Sequence, residues 1–289
     1  MKSLSIIIVT YNSQKDILNC LSSIFETSDI PREAIDIIVI DNSSKEVFIE
    51  TEELIISQYG TEINIIHNYK NGGYGQGNNF GIQNAKAEVI CIVNPDVIFL
   101  KPIFQEALNM FNVNERLAMI GGKQFGGGDI SYWIRPEYDF FLFTAPISKL
   151  LNKFNIYLQK YFYLSGALLF VSKTKFLEIG GFDEKMFMYC EEADITNRFL
   201  QMKYETSYRR EFHYQHLIDE RSEASENSLK FLINSYKIYF SKLDFNYRGF
   251  MRRRIFTFKA LMFFGQFFGN KQLYNKNLKY LEIFKTHQL

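Results

Sequence analysis

An α/β fold is what this 289-residue sequence predicts: a mostly parallel sheet flanked by helices, followed by a helical C-terminal appendage. Three observations carry that prediction. Continuous apolar, β-branched runs recur at residues 3–9, 35–40, 63–66 and 89–93, the pattern of strands buried on both faces. Segments with helical spacing or helix-start signals alternate with them, which implies a parallel sheet covered on both sides. Polar residues gather where these runs end, at Thr10-Tyr11-Asn12, Asp41-Asn42, His67-Asn68 and Asn94-Pro95-Asp96. In open parallel sheets that edge is where ligands bind.

The remaining elements can be read in chain order. Residues 16–25 put Ile17, Leu18, Leu21, Ile24 and Phe25 on one helical stripe. Ser43 or Ser44 can cap a helix running through 53–59. Asn71-Gly72-Gly73-Tyr74-Gly75-Gln76-Gly77 reads as a glycine-rich turn, with a helix following to about Ala85. Residues 117–133 read as strand, a turn at Gly126-Gly127-Gly128, and strand. Residues 138–163 are aromatic and irregular. Residues 164–171 form one strand, 173–179 a short helix closed by Gly180-Gly181, and 191–202 a helix. Residues 223–240 and 248–284 are helical, the second broken near Gly269-Asn270. No internal repeat or low-complexity linker divides the chain.

Hydrophobic residues make up 47% and charged residues 22%, enough apolar material for a sizeable core. The net charge of +1 hides an asymmetry. From Lys230 onward 12 Lys/Arg stand against only Asp244 and Glu282, a net of +10, leaving −9 on the preceding residues. A basic, aromatic tail on an acidic body points to an anionic partner, with a membrane surface the first candidate. Cys20, Cys91 and Cys190 are odd in number and widely spaced, which fits reduced thiols in a cytosolic protein and no zinc site. The apolar N-terminal run is too short for a signal peptide and is followed by polar Thr10-Tyr11-Asn12-Ser13. No run reaches the roughly 18–20 apolar residues that span a bilayer.

Five constellations can carry chemistry. Asp96, at a strand end, can bind Mg²⁺ or Mn²⁺ together with substrate phosphates, or else cap the turn before Lys101-Pro102. Asp41 can accept hydrogen bonds from a base or ribose, or close an Asx-turn. The glycine run could bring backbone N–H groups to phosphate. It fails the GxGxxG spacing and lacks the GK[ST] of a P-loop, so neither an NAD site nor a P-loop NTPase is indicated. Glu191-Glu192-Ala193-Asp194 opens a helix, where acids favour the dipole. Asp194 can pair with Arg198, while Glu192 points elsewhere and is available to take a proton from an acceptor hydroxyl. Of His213 and His216, three apart on a strand-like segment, at most one enters a site.

Taken in order, these motifs resemble family-2 glycosyltransferases of the A-type fold, in their rhamnosyltransferase-like branch. The resemblance runs through Ser5 to Asn12, Val39 to Ser44, Asn71 to Asn79, Val93 to Val97, Ser165-Gly166-Ala167, Gly180 to Glu184 and Glu191 to Asp194. It implies that Thr10, Tyr11, Asn12, Asp41, Asn42 and Asn94 hold the nucleotide. Gly73, Tyr74, Gly75 and Asn78 would pass close to the donor. Asp96 and His216 would bind Mg²⁺ or Mn²⁺, with His213 in reserve. Ser165, Gly166, Ala167 and Trp133 would line the acceptor side. Glu192 is the implied general base, with Glu191 as the alternative. Asn94 stands where the motif more often has a first Asp, and Glu192 stands where Asp is more frequent.

The implied organisation is a catalytic domain over 1–222, with a nucleotide-sugar half at 1–100 and an acceptor half at 101–222. A basic-aromatic helical region at 223–289 would meet a membrane or a second subunit. The implied activity is inverting transfer from a dTDP- or UDP-linked sugar, rhamnose included, to a glycan or lipid-linked oligosaccharide on the cytoplasmic face of the inner membrane. Nucleic acid is not an expected partner. Two rivals stand: a non-catalytic glycan or nucleotide-sugar binder, and a sugar nucleotidyltransferase. The latter needs a basic glycine-rich loop after the first strand, and Thr10-Tyr11-Asn12-Ser13 lies there instead.

Overall fold

The computed structural model describes residues 2–217 and 225–287. Its N-terminal part alternates β1 (Leu4–Thr10), α1 (Gln14–Glu26), β2 (Ile35–Asp41), α2 (Lys45–Tyr59), β3 (Ile63–His67), α3 (Gly73–Asn84) and β4 (Val89–Val93). Then come β5 (Val97–Phe99), α4 (Phe104–Val113), β6 (Leu117–Phe125), β7 (Tyr132–Ile134), α5 (Thr144–Lys153) and β8 (Phe162–Leu164). β9 (Leu168–Ser172), α6 (Lys173–Glu178), α7 (Glu191–Gln201) and β10 (Glu205–His216) complete the α/β body. Helices α8 (Glu226–Ser241), α9 (Tyr247–Phe267) and α10 (Lys271–Thr286) follow.

The main sheet has the order β3-β2-β1-β4-β9-β6-β10-β5. β1 pairs in parallel with β2 and β4, β2 with β3, and β6 with β10. β9 is inserted antiparallel between β4 and β6, and β5 runs antiparallel to β10. The strands bury both faces. Leu4, Ile6 and Ile8 pack with Ile17, Leu21 and Ile24 of α1, while Ile7, Ile38 and Ile40 pack with Ile82 of α3 on the other side. This is the period-two alternation of a strand with helices above and below. Each such buried Ile contributes about 1.5–3 kcal/mol of transfer free energy.

The glycine run departs from its expected form. From Gly73 onward it is not a turn before a helix but the opening of α3 itself, about one and a half turns. A Cβ at Gly77 would lie 2.7 Å from Val9 Cγ1, and one at Gly81 would collide with Ile7. These glycines, four apart on one helical stripe, let α3 press directly onto β1. As expected, Ser44 caps α2, which begins at Lys45; the Ser44 Oγ accepts from Val47 N. Three other features differ. The expected continuous strand over 164–171 is broken into β8 and β9 by Ser165-Gly166-Ala167. β6 and β7 are not partners, because β7 pairs with β8 in a separate two-stranded sheet. The segment 138–163, expected to be irregular, contains α5.

The C-terminal helices pack on the body through a third core joining Phe141, Met186, Cys190 and Ala193 to Leu229, Phe250, Met251, Phe258 and Phe284. Polar ties accompany it. Tyr239 donates to Glu137 at 2.5 Å, and Ser235 Oγ to the Met188 carbonyl at 2.8 Å. Lys242 spans Asp183 at 2.6 Å and Asp194 at 2.9 Å. Among the described residues no helix is long and apolar enough to cross a membrane. The three cysteines are free and buried.

Candidate active site

A cleft of about 550 Å³ opens at the C-terminal ends of β1, β2 and β4. Its lining includes Thr10, Tyr11, Asn42, Gly73, Tyr74, Asn94 and Asp96 from the predicted motifs, joined by Ser13, Asp16, Phe187, Met188 and Phe231. Hollows of about 820 Å³ and 600 Å³ lie at the opposite, N-terminal ends of the strands and carry none of these motifs.

The residues expected on the nucleotide side divide into wall and brace. Tyr11 is 59% exposed. Asn12 adopts a left-handed backbone (φ 54°) and donates its N–H to Ser43 Oγ at 2.9 Å. Asn42 Nδ2 donates to the Gly73 carbonyl and its Oδ1 accepts from Asn68, tying the strand-two turn to the start of α3. Asp41, expected at the base or ribose, is fully buried and does not line the cleft. Its oxygens accept from Thr10 Oγ1 at 2.9 Å and Ser43 N at 2.7 Å. It therefore shapes the turn that presents Asn42, and the Thr10 hydroxyl is turned toward it. Gly75 and Asn78 also sit inside. Gly75 faces Phe182 and Glu191, and Asn78 Nδ2 donates to the Tyr74 carbonyl. Of the glycine run, Asn71, Gly73 and Tyr74 reach the cleft. A Cβ at Gly73, where φ is +87°, would strike the Phe187 carbonyl.

His216 is buried and does not itself line the cleft, but its Nε2 lies 3.1 Å from Asp96 Oδ1 and 3.5 Å from Asn94 Nδ2, both of which belong to lining residues. The Leu217 N–H donates to the Asp96 carbonyl at 2.8 Å, fixing the end of β10 beside the β4 turn. His213, by contrast, sets its ring edge-on to Phe125. Strand alternation separates the two histidines, as their spacing requires. Among the described residues, no cluster of three or more His, Cys, Asp or Glu is arranged to hold a metal unaided. One carboxylate and one imidazole at a cleft fit a cation that completes its shell with phosphate oxygens and water. The His216 Nδ1 is buried without a hydrogen-bond partner among the described residues.

The acidic pair is built with more constraint. Tyr189 and Cys190, just before α7, both have left-handed backbones (φ 74° and 69°), at a cost of about 1–2 kcal/mol each. This turn delivers Glu191 and Glu192 in different directions. Glu191 is buried against Gly75, with Oε1 lacking a partner among the described residues. Burial, reinforced by the charge of Glu192, holds its carboxyl well above the usual range. Glu192 reaches the Ser165-Gly166-Ala167 segment, where the Gly166 N–H donates to it. Burial raises its pKa to about 6, opposed by backbone N–H donors from its own residue and Gly166. A Cβ on Gly166 would collide with the Glu192 carboxylate. The Tyr74 hydroxyl donates to the Gly166 carbonyl at 2.8 Å. Asp194 is turned away, clamped by Arg198 at 2.5 Å and Lys242.

The break between β8 and β9 thus joins the turn bearing Asp96 to Glu192. Asn94 N–H donates to the Ala167 carbonyl at 3.0 Å, while Gly166 holds Glu192. Ser165 Oγ donates to Gln124, and Ser165 N to the Ser131 carbonyl. Trp133, two residues beyond Ser131, is 48% exposed. Phe187, Met188 and Phe231 were not singled out by sequence. Phe187 and Phe231 set their rings 4.5 Å apart, so α8 contributes to the cleft wall. An aromatic pair separated by 44 residues leaves no local signal.

A family model described as glycosyl transferase family 2 matches residues 5–177. The low-salt glycan biosynthesis hexosyltransferase Agl10 of Haloferax volcanii is 28% identical over 204 residues, covering 68% of this chain and 62% of the relative. The poly(ribitol-phosphate) beta-N-acetylglucosaminyltransferase TarS of Staphylococcus aureus is 26% identical over 161 residues, 54% of this chain and 26% of the relative. The chain therefore spans less than two thirds of the length of these curated relatives. The mannosyltransferase PcManGT of Pyrobaculum calidifontis, solved with GDP-Man and Mn²⁺, superimposes with a TM-score of 0.66 over 99% of this chain and 86% of its own, at 12% identity. At that identity it supports the fold: an A-type-like α/β sheet with flanking helices.

Proposed function

We propose that this chain, which belongs to glycosyl transferase family 2, moves one hexose from a nucleoside-diphosphate sugar to a hydroxyl of a glycan acceptor, with inversion at the anomeric carbon. The observation that carries this reading is the shared anchoring of the two chemical groups. Glu192 and the turn bearing Asp96 are tied to the same three residues, Ser165-Gly166-Ala167. A base and a phosphate-side carboxylate held together in this way suit a single in-line displacement.

The donor's nucleotide occupies the cleft between Tyr11, Asn42 and Tyr74. Asp96 and His216 would hold a divalent cation, Mg²⁺ or Mn²⁺, which when bound neutralises charge on a departing diphosphate. Glu192 takes the acceptor hydroxyl's proton as that oxygen attacks. A pKa near 6 suits proton abstraction, because the carboxylate is ionised at neutral pH yet more basic than an exposed one. Glu191, buried behind Gly75, supports the fold of the turn and does not meet the acceptor. The Tyr74 hydroxyl positions Gly166, and with it Glu192.

The relatives' activities, a hexosyltransferase of glycan biosynthesis and an N-acetylglucosaminyltransferase acting on poly(ribitol-phosphate), favour a cell-surface glycan or lipid-linked oligosaccharide as acceptor. A dTDP- or UDP-linked sugar is the inferred donor, dTDP-rhamnose among them, and the cytoplasmic face of a membrane is the inferred place of work. Proton NMR of the product formed from an α-linked donor tests the mechanism. A β-linked product supports it, and an α-linked product overturns it.

A further inference from the structure

The segment joining β7 to β8 has its amphipathicity reversed. Phe143, Ile147, Leu150 and Phe154 recur at helical spacing along α5 and its ends, yet they are 72%, 52%, 55% and 62% exposed. The buried positions of the same helix are the polar Ser148 and Asn152. Asn152 faces inward because its side chain caps β7, accepting from Ser131 N and donating to the Tyr132 carbonyl. The polar side is consumed by the fold, and the apolar side is left outward.

This face continues onto α9. Arg253 stacks over the Phe140 ring at 4.8 Å, and Arg254 over the Phe141 ring at 3.8 Å. Phe140, Phe143, Arg252, Arg253 and Phe256 together line an almost wholly apolar notch of about 280 Å³. Farther along α9, Phe263 and Phe267 are also exposed, while Phe250, Met251 and Phe258 on the other side of the helix are buried. Exposed Lys149 and Lys153 are interleaved with the apolar stripe of α5. Residues 140–161 and 245–281 contain no Asp or Glu.

We propose that this α5–α9 face seats the protein on an anionic lipid bilayer, with the aromatics entering the headgroup boundary and the basic side chains meeting lipid phosphates. Apolar side chains interleaved with Lys and Arg, on helices too polar to span, are the composition of an interfacial surface. A second copy fits less well. A two-fold contact would bring the same lysines and arginines face to face, with no acid in either segment to pair them. The surface adjoins the acceptor side: Phe141, between α5 and the β7 end, shares a core with Cys190, two residues before Glu192. It deepens the transferase reading by placing that site at a membrane, but its test uses no donor, so the two can fail separately.

The full chain is sedimented with vesicles of phosphatidylcholine alone and of phosphatidylcholine mixed with phosphatidylglycerol, at low and high salt. Expected is binding to the anionic vesicles that weakens with salt. It should fall at least about tenfold in Ile147→Ser/Leu150→Ser and roughly thirtyfold in Lys149→Glu/Lys153→Glu, with thermal melting unchanged. Absence of binding by the unaltered chain, or binding by both variants undiminished from that of the unaltered chain, overturns the proposal. So does a dimer in sizing experiments that Ile147→Ser/Leu150→Ser abolishes while vesicles are ignored; the occupant is then a second copy.

Discussion

Replacing Glu192 by Gln should move activity and stability in opposite directions. The amide keeps the size of the side chain and its place beside Gly166 but cannot accept a proton. Loss of a general base costs roughly 10²–10⁴-fold, so turnover should fall at least a hundredfold. Stability follows from the raised pKa. The folded carboxyl titrates at about 6 against 4.5 for an unperturbed one. Between those values the folded state holds a proton that the unfolded chain has lost, so stability declines as pH rises through that window. Below it the cost of ionisation is absent, and above about pH 6 it is complete. The full difference corresponds to about 2 kcal/mol. Partial exposure of Glu192 reduces it to about 1–2 kcal/mol. Urea unfolding at pH 8 should therefore show the Gln variant more stable by that amount, and at pH 4.5 the gain should nearly vanish. An inactive variant with no gain at pH 8, or one with the same gain at both pH values, would refute the link between burial and basicity.

Four further outcomes are expected. The rate should carry an acid limb with an apparent pKa near 6, falling about tenfold per pH unit below it; a flat profile between pH 5 and 8 by direct rate measurement would exclude Glu192 as base. Gly166→Ala must displace the Glu192 carboxylate, so turnover should drop at least tenfold while urea unfolding shows a loss of about 1–3 kcal/mol. Asp96→Ala and His216→Ala should each raise the Mn²⁺ concentration needed for half-maximal nucleoside-diphosphate binding by about 10–100-fold, measured by calorimetry, whereas His213→Ala should leave it unchanged. Lys242→Met removes a cation shared by Asp183 and the buried Asp194; a loss of about 1–3 kcal/mol in thermal or urea unfolding is expected.

The parallel half of the fold was legible because a doubly covered strand must be apolar throughout. The runs ending at Thr10, Asp41 and Val93 could hardly be anything else. What escaped was set by partners distant in sequence. Gly73 to Gly77 look like a flexible turn until the Phe187 carbonyl is seen against Gly73 and β1 against Gly77, inside the helix they begin. Ser165-Gly166-Ala167 reads as part of one strand, because its break depends on Asn94, Tyr74 and Glu192 meeting there. Helix α5 differs in another way: its apolar residues stand at helical spacing, but the face they mark is the exposed one, because Asn152 is turned inward by its bonds to Ser131 and Tyr132.

The site shows the same division. Asp96, Glu192 and His216 could be proposed by residue type and order, and strand alternation separated His216 from His213. Asp41 was assigned to ligand contact because an acid at a strand end can serve either purpose. The bond from Ser43 N is the Asx-turn that the sequence offered as the alternative, whereas the bond from Thr10 is visible only in three dimensions. Phe187 and Phe231 were invisible for want of any local pattern.

The most direct test is a donor screen. Purified protein is incubated with Mn²⁺ or Mg²⁺, a panel of nucleotide-sugars and a membrane lipid extract, and release of nucleoside diphosphate is followed. Metal-dependent release from one donor, lost in both Glu192→Gln and Asp96→Ala, is the predicted result. Release undiminished in Glu192→Gln, or none from any donor with no thermal shift by UDP or dTDP, would contradict the account.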